Sequence, residues 1–397
     1  MRKHAAKRVL GWAAIALLAA GLSFVAAGCG GGGKKAAKKK SNLPTSIGKG
    51  EGALNLIEWP AYADPSFAKP FETQTGCKIH RKDAGSSAEM VTLMRTGGGG
   101  GGGQYDLVSA SGDASLRLIY GGDVRPVNVK LFPSWNDFLS IFKSPAHNTV
   151  KGVHYGISLQ WGPNTLLYNT QQVKPAPTSW SVLYDPKFKG KVTVPGNTIQ
   201  IADAALYLMK TKPSLGIKDP YELTRKQLDA TVALLNTQKS LVKKYWGVAA
   251  DEINLFKNKD ATVGAAWPYQ TLALQADKVP VKEINPKEGA TGWADTWMIA
   301  KKAPHPNCAM LWIKYVTTPK VQAKQALVFG ETPVNPKACS YMNAIEKGSC
   351  AKYHLNQPLS YYKTIHFWKT PVADCGNGQK DCMDYNAWQR AWTQVTG

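Results

Sequence analysis

Beyond about residue 50, short apolar runs alternate with segments whose apolar residues recur every three or four positions. Short runs rich in Val, Ile, Leu and Trp are typical of buried strands, and the longer period is typical of amphipathic helices. The pattern predicts strands at 54–59, 78–84, 105–109, 191–194, 261–266 and 293–300, and helices around 201–209 and 308–316. This alternation predicts an α/β protein with helices on both faces of its sheets.

Capping residues define two further helices near the start of this region. Asp64 precedes a proline and predicts a helix N-terminus, and Gly76 predicts the end of the same helix. Pro70 lies inside it and is expected to shorten or kink it. Ser86 with Glu89 three residues later forms a capping-box pattern, which predicts a second helix that extends to about residue 94.

The N-terminus has the layout of a secretory signal. Four basic residues precede an uncharged apolar stretch at 9–27, and small residues then lead into a cysteine as Ala26-Ala27-Gly28-Cys29. This ending resembles the lipobox of bacterial lipoproteins, in which the cysteine thiol receives a diacylglyceryl group. We therefore expect residues 1–28 to be a signal peptide and Cys29 to be lipidated. The alternative is an uncleaved transmembrane anchor, since the apolar stretch is almost long enough to span a bilayer.

Residues 29–50 contain four glycines after Cys29 and then a cluster of lysines, a composition that cannot bury a core. This segment is predicted to be a flexible, lipid-anchored linker. The charge of the whole chain is +22, but ten Lys/Arg and no Asp/Glu lie in residues 1–50, which leaves +12 for the remainder. With this moderate excess, no nucleic-acid motif and an export signal, nucleic acid is not an expected partner.

Six cysteines remain when Cys29 is set aside, an even number that is typical of disulfide bonding outside the cytoplasm. Two pairs are close in sequence, and the third then forms by elimination, so the candidate bridges are Cys339 with Cys350, Cys375 with Cys382, and Cys77 with Cys308. Six cysteines allow fifteen connectivities, and the sequence does not choose among them. No CxxC spacing occurs, so a metal site is not expected.

Catalytic motifs are absent from the sequence: it contains no nucleophile elbow, HExxH, Walker sequence or dinucleotide fingerprint. Seven consecutive glycines at 97–103 are not followed by Gly-Lys-Ser/Thr, so they predict a loop rather than a phosphate site. We accordingly expect no enzyme activity, no catalytic residues and no cofactor.

Aromatic residues stand near the predicted ends of several strands. Trp59, Trp267 and Trp293 are each next to turn residues rather than inside apolar runs. Open α/β sheets bind ligands outside the carboxyl ends of their strands, and aromatic faces attract ammonium groups by about 0.5–2 kcal/mol per contact. The remaining chain of roughly 350 residues suits two lobes better than one core. The alternative for each tryptophan is a place in the hydrophobic core.

Six segments, in order along the chain, resemble the spermidine/putrescine-binding proteins of ABC importers. They are Trp59 with Tyr62; Tyr105-Asp106-Leu107-Val108 followed by Ser111; Leu159-Gln160-Trp161-Gly162; Ser179-Trp180-Ser181-Val182-Leu183 followed by Lys187-Phe188-Lys189-Gly190; Lys287-Glu288-Gly289 leading into Trp293-Ala294-Asp295; and Glu331-Thr332-Pro333-Val334-Asn335. The resemblance covers 54 to about 340. It implies a periplasmic-binding-protein-like fold with two lobes, crossing hinge strands and a ligand cleft. The implied lobes are 51–154 plus 292–341 and 155–291 plus 342–397.

The resemblance also implies a ligand site, with departures from the family pattern. The residues at the family's ligand-contacting positions are Trp59, Tyr62, Ser111, Trp267, Trp293 and Asp295. Asn197 and Gln200 stand where the family has two acids, whereas Asp113 and Glu331 occupy positions that are aromatic in the family. These four residues complete the predicted site. Negative charge has therefore moved within the implied cleft, and the expected ligand is a small cation, a polyamine or a polyamine-like molecule. The alternative for Asp113 and for Glu331 is a solvated position at the rim of the cleft.

The implied partners are the small-molecule ligand and two ABC permease subunits with a cytoplasmic ATPase. We expect an extracytoplasmic monomer, in the periplasm or on the outer cell surface, that touches the membrane only through its lipid anchor. A competing ligand class is an amino-acid-like zwitterion or a different organic cation; a zwitterion needs a cationic anchor, for which Lys369 is a candidate. The competing functions are a surface sensor or scaffold on the same fold and a secreted enzyme.

Overall fold

A computed structural model describes residues 43–98, 103–376 and 380–397. The predicted signal peptide, Cys29 and most of the predicted linker lie outside these ranges. In chain order, the strands are β1 (Ala53–Glu58), β2 (Lys78–Asp83), β3 (Leu107–Ser111), β4 (Thr149–Val150), β5 (Val153–His154), β6 (Ile157–Pro163), β7 (Thr165–Asn169), β8 (Val192–Pro195), β9 (Val242–Trp246), β10 (Val263–Ala266), β11 (Val281–Ile284), β12 (Ala290–Ile299), β13 (Thr332–Pro333) and β14 (Ile365–Phe367).

Helices flank these strands throughout the described ranges. They are α1 (Pro65–Thr75), α2 (Ser87–Leu93), α3 (Gly112–Gly121), α4 (Gln200–Thr211), α5 (Arg225–Lys239), α6 (Ala249–Lys257), α7 (Pro268–Ala276), α8 (Pro306–Val316), α9 (Pro319–Phe329), α10 (Ala338–Ile345), α11 (Ser349–Lys352), α12 (Leu359–Tyr362) and α13 (Tyr385–Thr396). A π-helical turn at Met94–Gly98 follows α2. The predicted α/β class is therefore confirmed.

The strands form two large mixed sheets and one small hairpin. The first sheet has the order β13-β6-β12-β3-β1-β2, and β14 pairs with β12; the second has the order β11-β7-β10-β8-β9. In the first sheet β1 runs parallel to β2 and β3, while β12 runs antiparallel to β3 and β6. Every residue of β12 is buried, as expected for a central strand covered on both faces. Each sheet is the centre of one lobe.

The chain crosses between the two lobes three times. Asn164 alone separates β6 of the first sheet from β7 of the second, and the chain returns between β11 and β12. The third crossing follows β14, after which α13 packs against α5 of the second lobe. Asp203 of α4 accepts hydrogen bonds from Asn164 Nδ2 at 3.3 Å and from the Thr291 hydroxyl, so one buried carboxyl joins the first two crossings.

The strand pairing differs from the predicted lobe boundaries in two places. The predicted second lobe includes 155–163, but β6 pairs with β12 and β13 of the first sheet. It also includes 342–397, but β14 pairs with β12, and α10 packs on α9, so the chain stays in the first lobe until about Phe367. Backbone pairing with β12 is the physical reason for both differences.

The last residues of the predicted linker lie against the first lobe. The Pro44 carbonyl accepts a hydrogen bond from Asn128 Nδ2 at 3.0 Å, and Gly48 N donates to Asn307 Oδ1 at 2.8 Å. Ile47 packs against the apolar core of this lobe. Residues 43–50 are thus part of the folded body, and the predicted flexible segment is too long at this end.

Local capping agrees with the sequence prediction for α1 and α2. The Asp64 carboxylate accepts from Ser66 N, and Gly76 ends α1 in the left-handed region at φ 73°. The helix continues through Pro70, which is exposed, so the hydrogen bond that proline removes faces solvent. Ser86 Oγ accepts from Glu89 N at 3.2 Å at the start of α2.

The third strand is shifted from its predicted position at 105–109, since β3 spans Leu107–Ser111. Its start is set by the buried Asp106 carboxylate, which accepts from Asn55 N at 2.8 Å and from His305 N at 2.6 Å. The side chain of Asp106 therefore binds backbone N–H groups just before the strand begins.

Three disulfides stabilise the described chain. Cys77 is bonded to Cys308, Cys339 to Cys350, and Cys375 to Cys382. This connectivity is the one proposed from the spacing, out of fifteen possibilities. The first bridge ties the start of β2 to α8 across a sequence separation of 231 residues, and the other two close short loops.

Candidate ligand-binding site

A narrow cavity lies between the two lobes. It is lined by Trp59, Tyr62, Ser111, Trp267, Trp293, Asp295, Phe329, Glu331 and Trp368. Most of these residues belong to the first lobe, Trp267 comes from the second, and Trp368 comes from the third crossing. A site at the meeting point of two lobes and at strand ends is a common place for a ligand.

Three strands of the first sheet place the polar side of the cavity. Trp59 directly follows β1, and Ser111 ends β3. Asp295 lies opposite Ser111 in the register between β12 and β3. The pairing of β12 with β6 is irregular between Ala294 and Thr296. Such a bulge-like feature changes the direction of the side chain at that position, here that of Asp295.

The end of α9 brings Glu331 to the same place. Gly330 adopts φ 79° as the left-handed C-cap of α9, and its N–H donates to Ala326 O. Glu331 N donates to the same carbonyl at 3.0 Å, which fixes the direction in which the chain leaves the helix. Phe329, the last residue of the helix, lines the cavity beside Glu331.

A continuous hydrogen-bond network connects the polar side chains. Trp59 Nε1 donates to Ser111 Oγ at 3.2 Å, and Ser111 Oγ donates to Asp295 Oδ1 at 2.5 Å. The Tyr62 hydroxyl contacts Asp295 Oδ2 and lies 3.0 and 2.9 Å from the two carboxyl oxygens of Glu331. Two buried carboxyl groups therefore meet at a single phenol.

Burial strongly affects both acids. Asp295 and Glu331 are each 2% exposed. Burial raises the pKa of Asp295 to about 7, and burial together with the neighbouring Asp295 raises the pKa of Glu331 well above its usual range. Among the described residues that line the cavity, none is Lys, Arg or His, so its charged groups are acidic alone.

Aromatic rings form the opposite walls. Trp267 contacts Trp246 edge to face, with ring centroids 4.9 Å apart, and its ring lies 6.4 Å from that of Trp368. Indole faces attract cations through their quadrupole, and the effect is stronger where water is excluded. The cavity thus combines aromatic walls with uncompensated acids, an arrangement that favours a cation.

A larger cavity adjoins the first and shares Trp59, Trp267 and Trp368 with it. Asp113 and Asn197 line this second space. Asp113 Oδ1 accepts from Ser87 Oγ at 2.8 Å, and burial raises the pKa of its carboxyl. The three shared tryptophans therefore stand between an inner acidic end and an outer space with one further buried acid.

Seven of the ten predicted ligand-contacting residues line the inner cavity: Trp59, Tyr62, Ser111, Trp267, Trp293, Asp295 and Glu331. Asp113 and Asn197 line the adjoining one, and Asn197 Oδ1 accepts from Ile199 N at 3.1 Å, a local turn bond before α4. Gln200 is buried at the first position of α4 and lines neither space. The binding role of all ten stays a prediction.

Two residues that line the inner cavity were not predicted. Phe329 and Trp368 come from the end of α9 and from the third crossing, far in sequence from the other lining residues. The sequence singled out Lys369, the neighbour of Trp368, instead. That lysine does not line the inner cavity; its Nζ lies 2.8 Å from Asp219 and 2.6 Å from Glu222. The cationic anchor expected for a zwitterion is therefore paired elsewhere.

The described ranges contain neither a metal cluster nor a membrane span. No group of three or more His, Cys, Asp and Glu side chains in residues 43–98, 103–376 and 380–397 is arranged to hold a metal ion. Within the same ranges no helix combines the length and the apolar character needed to cross a membrane.

Comparison with known proteins identifies the family. Residues 107–351 match the family model described as bacterial extracellular solute-binding protein. The chain belongs to this family. Spermidine/putrescine-binding periplasmic protein 1 of Haemophilus influenzae is 24% identical over 321 residues, which cover 80% of this chain and 84% of that protein. The resemblance to spermidine/putrescine-binding proteins is thereby confirmed.

Solved structures of solute-binding proteins have the same fold. The Tp0655 (TpPotD) lipoprotein of Treponema pallidum superposes with a TM-score of 0.67 at 18% identity, over 86% of this chain and 99% of that chain. The Atu4243-GABA receptor gives a TM-score of 0.60 at 20% identity, over 86% and 95%. The two-lobed fold of this solute-binding protein is confirmed, and its family consists of extracellular proteins that bind solutes.

Proposed function

We propose that this solute-binding protein captures a small cationic solute, a polyamine or a polyamine-like molecule, for an ABC importer. The observation that carries the proposal is the pairing of Asp295 with Glu331, two buried acids in an aromatic cavity with no basic residue among its described lining residues. A buried carboxylate is costly unless a cation or a proton compensates it. An ammonium ligand supplies one positive charge and up to three N–H donors to the pair.

The aromatic walls support the same class of ligand. Trp59, Trp267 and Trp368 line both the inner and the outer cavity. Methylene groups pack against such rings while an ammonium gains cation–π attraction, about 0.5–2 kcal/mol per contact. An extended diamine with one ammonium at Asp295 and Glu331 would leave its methylenes between these rings.

The far end of the site differs from that of a typical polyamine binder. Asn197 and Gln200 replace the acids of the family pattern. Asn197 Oδ1 accepts a hydrogen bond from the backbone N–H of Ile199. Asp113 is a buried acid that lines the outer space and is available to a second amine. Relatives at 21–25% identity are named for spermidine, putrescine or agmatine, which agrees with a cationic ligand.

In this proposal the mature chain is a monomer anchored through a lipid on Cys29, and it delivers its ligand to two permease subunits driven by a cytoplasmic ATPase. The signal-like residues 1–28 and the membership in an extracellular family support this location. Two acyl chains on one cysteine give durable attachment, which a single chain does not.

Calorimetry with a matched ligand series tests the ligand class. Putrescine and spermidine are the cationic members, 1,4-butanediol replaces both ammonium groups of putrescine by hydroxyls, and 5-aminopentanoate replaces one by a carboxylate. We expect binding and thermal stabilisation by a cation and neither with the diol. Equal binding of the diol, or the absence of heat with every cation on protein shown to be folded by circular dichroism, would contradict the proposal.

A further inference from the structure

The Tyr62 hydroxyl lies within hydrogen-bonding distance of Asp295 Oδ2 and of both carboxyl oxygens of Glu331. A phenol has one proton to donate, so it cannot satisfy two ionised carboxylates together. Ser111 donates to the other oxygen of Asp295 and the Gln160 side chain donates to Glu331, so each acid has one donor of its own and the two share Tyr62. A proton bound to one of the two carboxyl groups supplies the donor that Tyr62 cannot give to both.

The groups around the pair do not supply a positive charge. β3 and α3 contribute Ser111 and the acid Asp113, and Asp113 further raises the pKa of Asp295. β6 contributes the neutral Gln160, and the second lobe and third crossing contribute Trp267 and Trp368. The charged groups that face Asp295 and Glu331 from the described elements are thus acids.

Burial makes the ionised pair still less favourable. The lack of solvent and the neighbouring carboxylate hold the pKa of Glu331 well above its usual range, and the pKa of Asp295 is about 7. Two like charges at hydrogen-bonding distance from one phenol resemble other carboxyl pairs that titrate as a unit and retain one proton between them.

We infer that Asp295 and Glu331 share one proton in the empty protein and that a cationic head group displaces it, so that ligand capture releases a proton. The ligand stays protonated, the Tyr62 hydroxyl stays as donor, and the displaced proton passes to solvent. Glu331, in place of the family's aromatic residue, thereby makes capture depend on pH. This inference rests on the proposed cationic ligand.

The dependence has a definite sign. Below the pH at which the pair loses its shared proton, each bound cation releases one proton, and affinity rises about tenfold for each pH unit. Above that pH the pair is already ionised, and affinity no longer changes with pH. Between about pH 7, below which Asp295 itself takes up a proton, and the pH at which the pair loses its shared proton, a more acidic medium therefore weakens capture and a less acidic one strengthens it.

Calorimetry with putrescine at pH 8 in phosphate and in a buffer of larger ionisation enthalpy counts the released protons. We expect about one proton for the unmodified protein. In Glu331→Gln the remaining Asp295, whose pKa is about 7, is already ionised at this pH, so we expect release well below one proton. Glu252→Gln removes a buried acid of α6 that lines neither cavity and should keep the full release. Equal release in the Glu331 variant and the unmodified protein overturns the inference.

Infrared spectroscopy of the empty protein tests the shared proton without any ligand. A protonated carboxyl absorbs at higher frequency than a carboxylate, and the difference spectrum between the unmodified protein and Glu331→Gln at pH 8, where Asp295 alone is ionised, isolates the pair from other buried acids. We expect loss of one protonated-carboxyl band; a difference spectrum without that band overturns the inference. If the band is present but no cation binds, the result supports the shared proton and contradicts the proposed cationic ligand.

Discussion

Tyr269 and Phe329 stack across the two lobes, with ring centroids 5.6 Å apart and planes inclined by 29°. Tyr269 belongs to α7 of the second lobe and is 40% exposed, whereas Phe329 ends α9 of the first lobe and lines the inner cavity. This pair therefore holds the lobes together at the edge of the site without Tyr269 lining the inner cavity itself.

Removing the ring of Tyr269 should weaken the contact between the two lobes at the edge of the site. An aromatic pair contributes about 0.5–1.5 kcal/mol beyond area burial, so we expect Tyr269→Ala to weaken ligand affinity by a factor of about 2 to 10, mainly through faster release. Stopped-flow measurement of the dissociation rate checks this. Tyr269→Phe preserves the stack and serves as the control; an unchanged dissociation rate in the alanine variant would show that the stack does not hold the lobes.

The tryptophans that line both cavities should contribute directly to affinity. Trp267 lines both cavities, and its ring is supported by Trp246. We expect Trp267→Ala to lower the affinity for putrescine by a factor of about 3 to 30, the range of one desolvated cation–π contact. Trp312→Phe, in the buried core of the first lobe, is the matched control and should leave affinity unchanged. Titration calorimetry distinguishes the two outcomes.

Asp203 should stabilise the crossings between the lobes. Its buried carboxyl accepts from Asn164 and Thr291, and burial raises its pKa to about 7. We expect Asp203→Ala to lower the free energy of unfolding by about 2–5 kcal/mol, because two buried donors lose their acceptor. Asp203→Asn keeps an acceptor and should lose less. Urea unfolding measures both, with the exposed Asp229→Ala as the control for loss of an acid.

Glu58 should make stability depend on pH. Its side chain is fully buried, its nearest cation is Arg81 at 3.9 Å, and burial raises its pKa to about 8. A carboxyl whose pKa rises on folding binds more protons in the native state, so its contribution is complete below its unfolded pKa and is lost as pH rises to about 8. We expect Glu58→Gln to be more stable relative to the unmodified protein at pH 8.5 than at pH 5. Urea unfolding at the two values tests this, and an equal difference at both would contradict it.

Local signals in the sequence were enough to predict much of the fold. Asp64, Gly76 and Ser86 define helix ends through contacts within a few residues, and such local contacts can be predicted from the sequence alone. The buried strands follow from their apolar runs. Asp106 shows the limit: its carboxylate binds the backbone of Asn55 and His305, both remote in sequence, and this shifts the start of β3.

The candidate site was predictable where a residue stands beside a predicted strand end, as Trp59 does, and Asp295 followed from the resemblance to the family pattern. Phe329 and Trp368 were missed because α9 and the third crossing reach the cavity only through tertiary packing. Asn197 and Gln200 were predicted from their positions in the family pattern. In the structure Asn197 Oδ1 accepts a hydrogen bond within the turn before α4, and Gln200 is buried at the start of that helix. The lobe boundaries depended in the same way on the pairing of β6 and β14 with β12.

The segment before β1 has a mechanical consequence. Residues 43–50 lie on the first lobe through the contacts of Pro44, Ile47 and Gly48, and Gly50 packs close to the bridge between Cys77 and Cys308. A tension applied to the chain at Leu43 would therefore reach the first lobe beside a covalent bridge that joins β2 to α8.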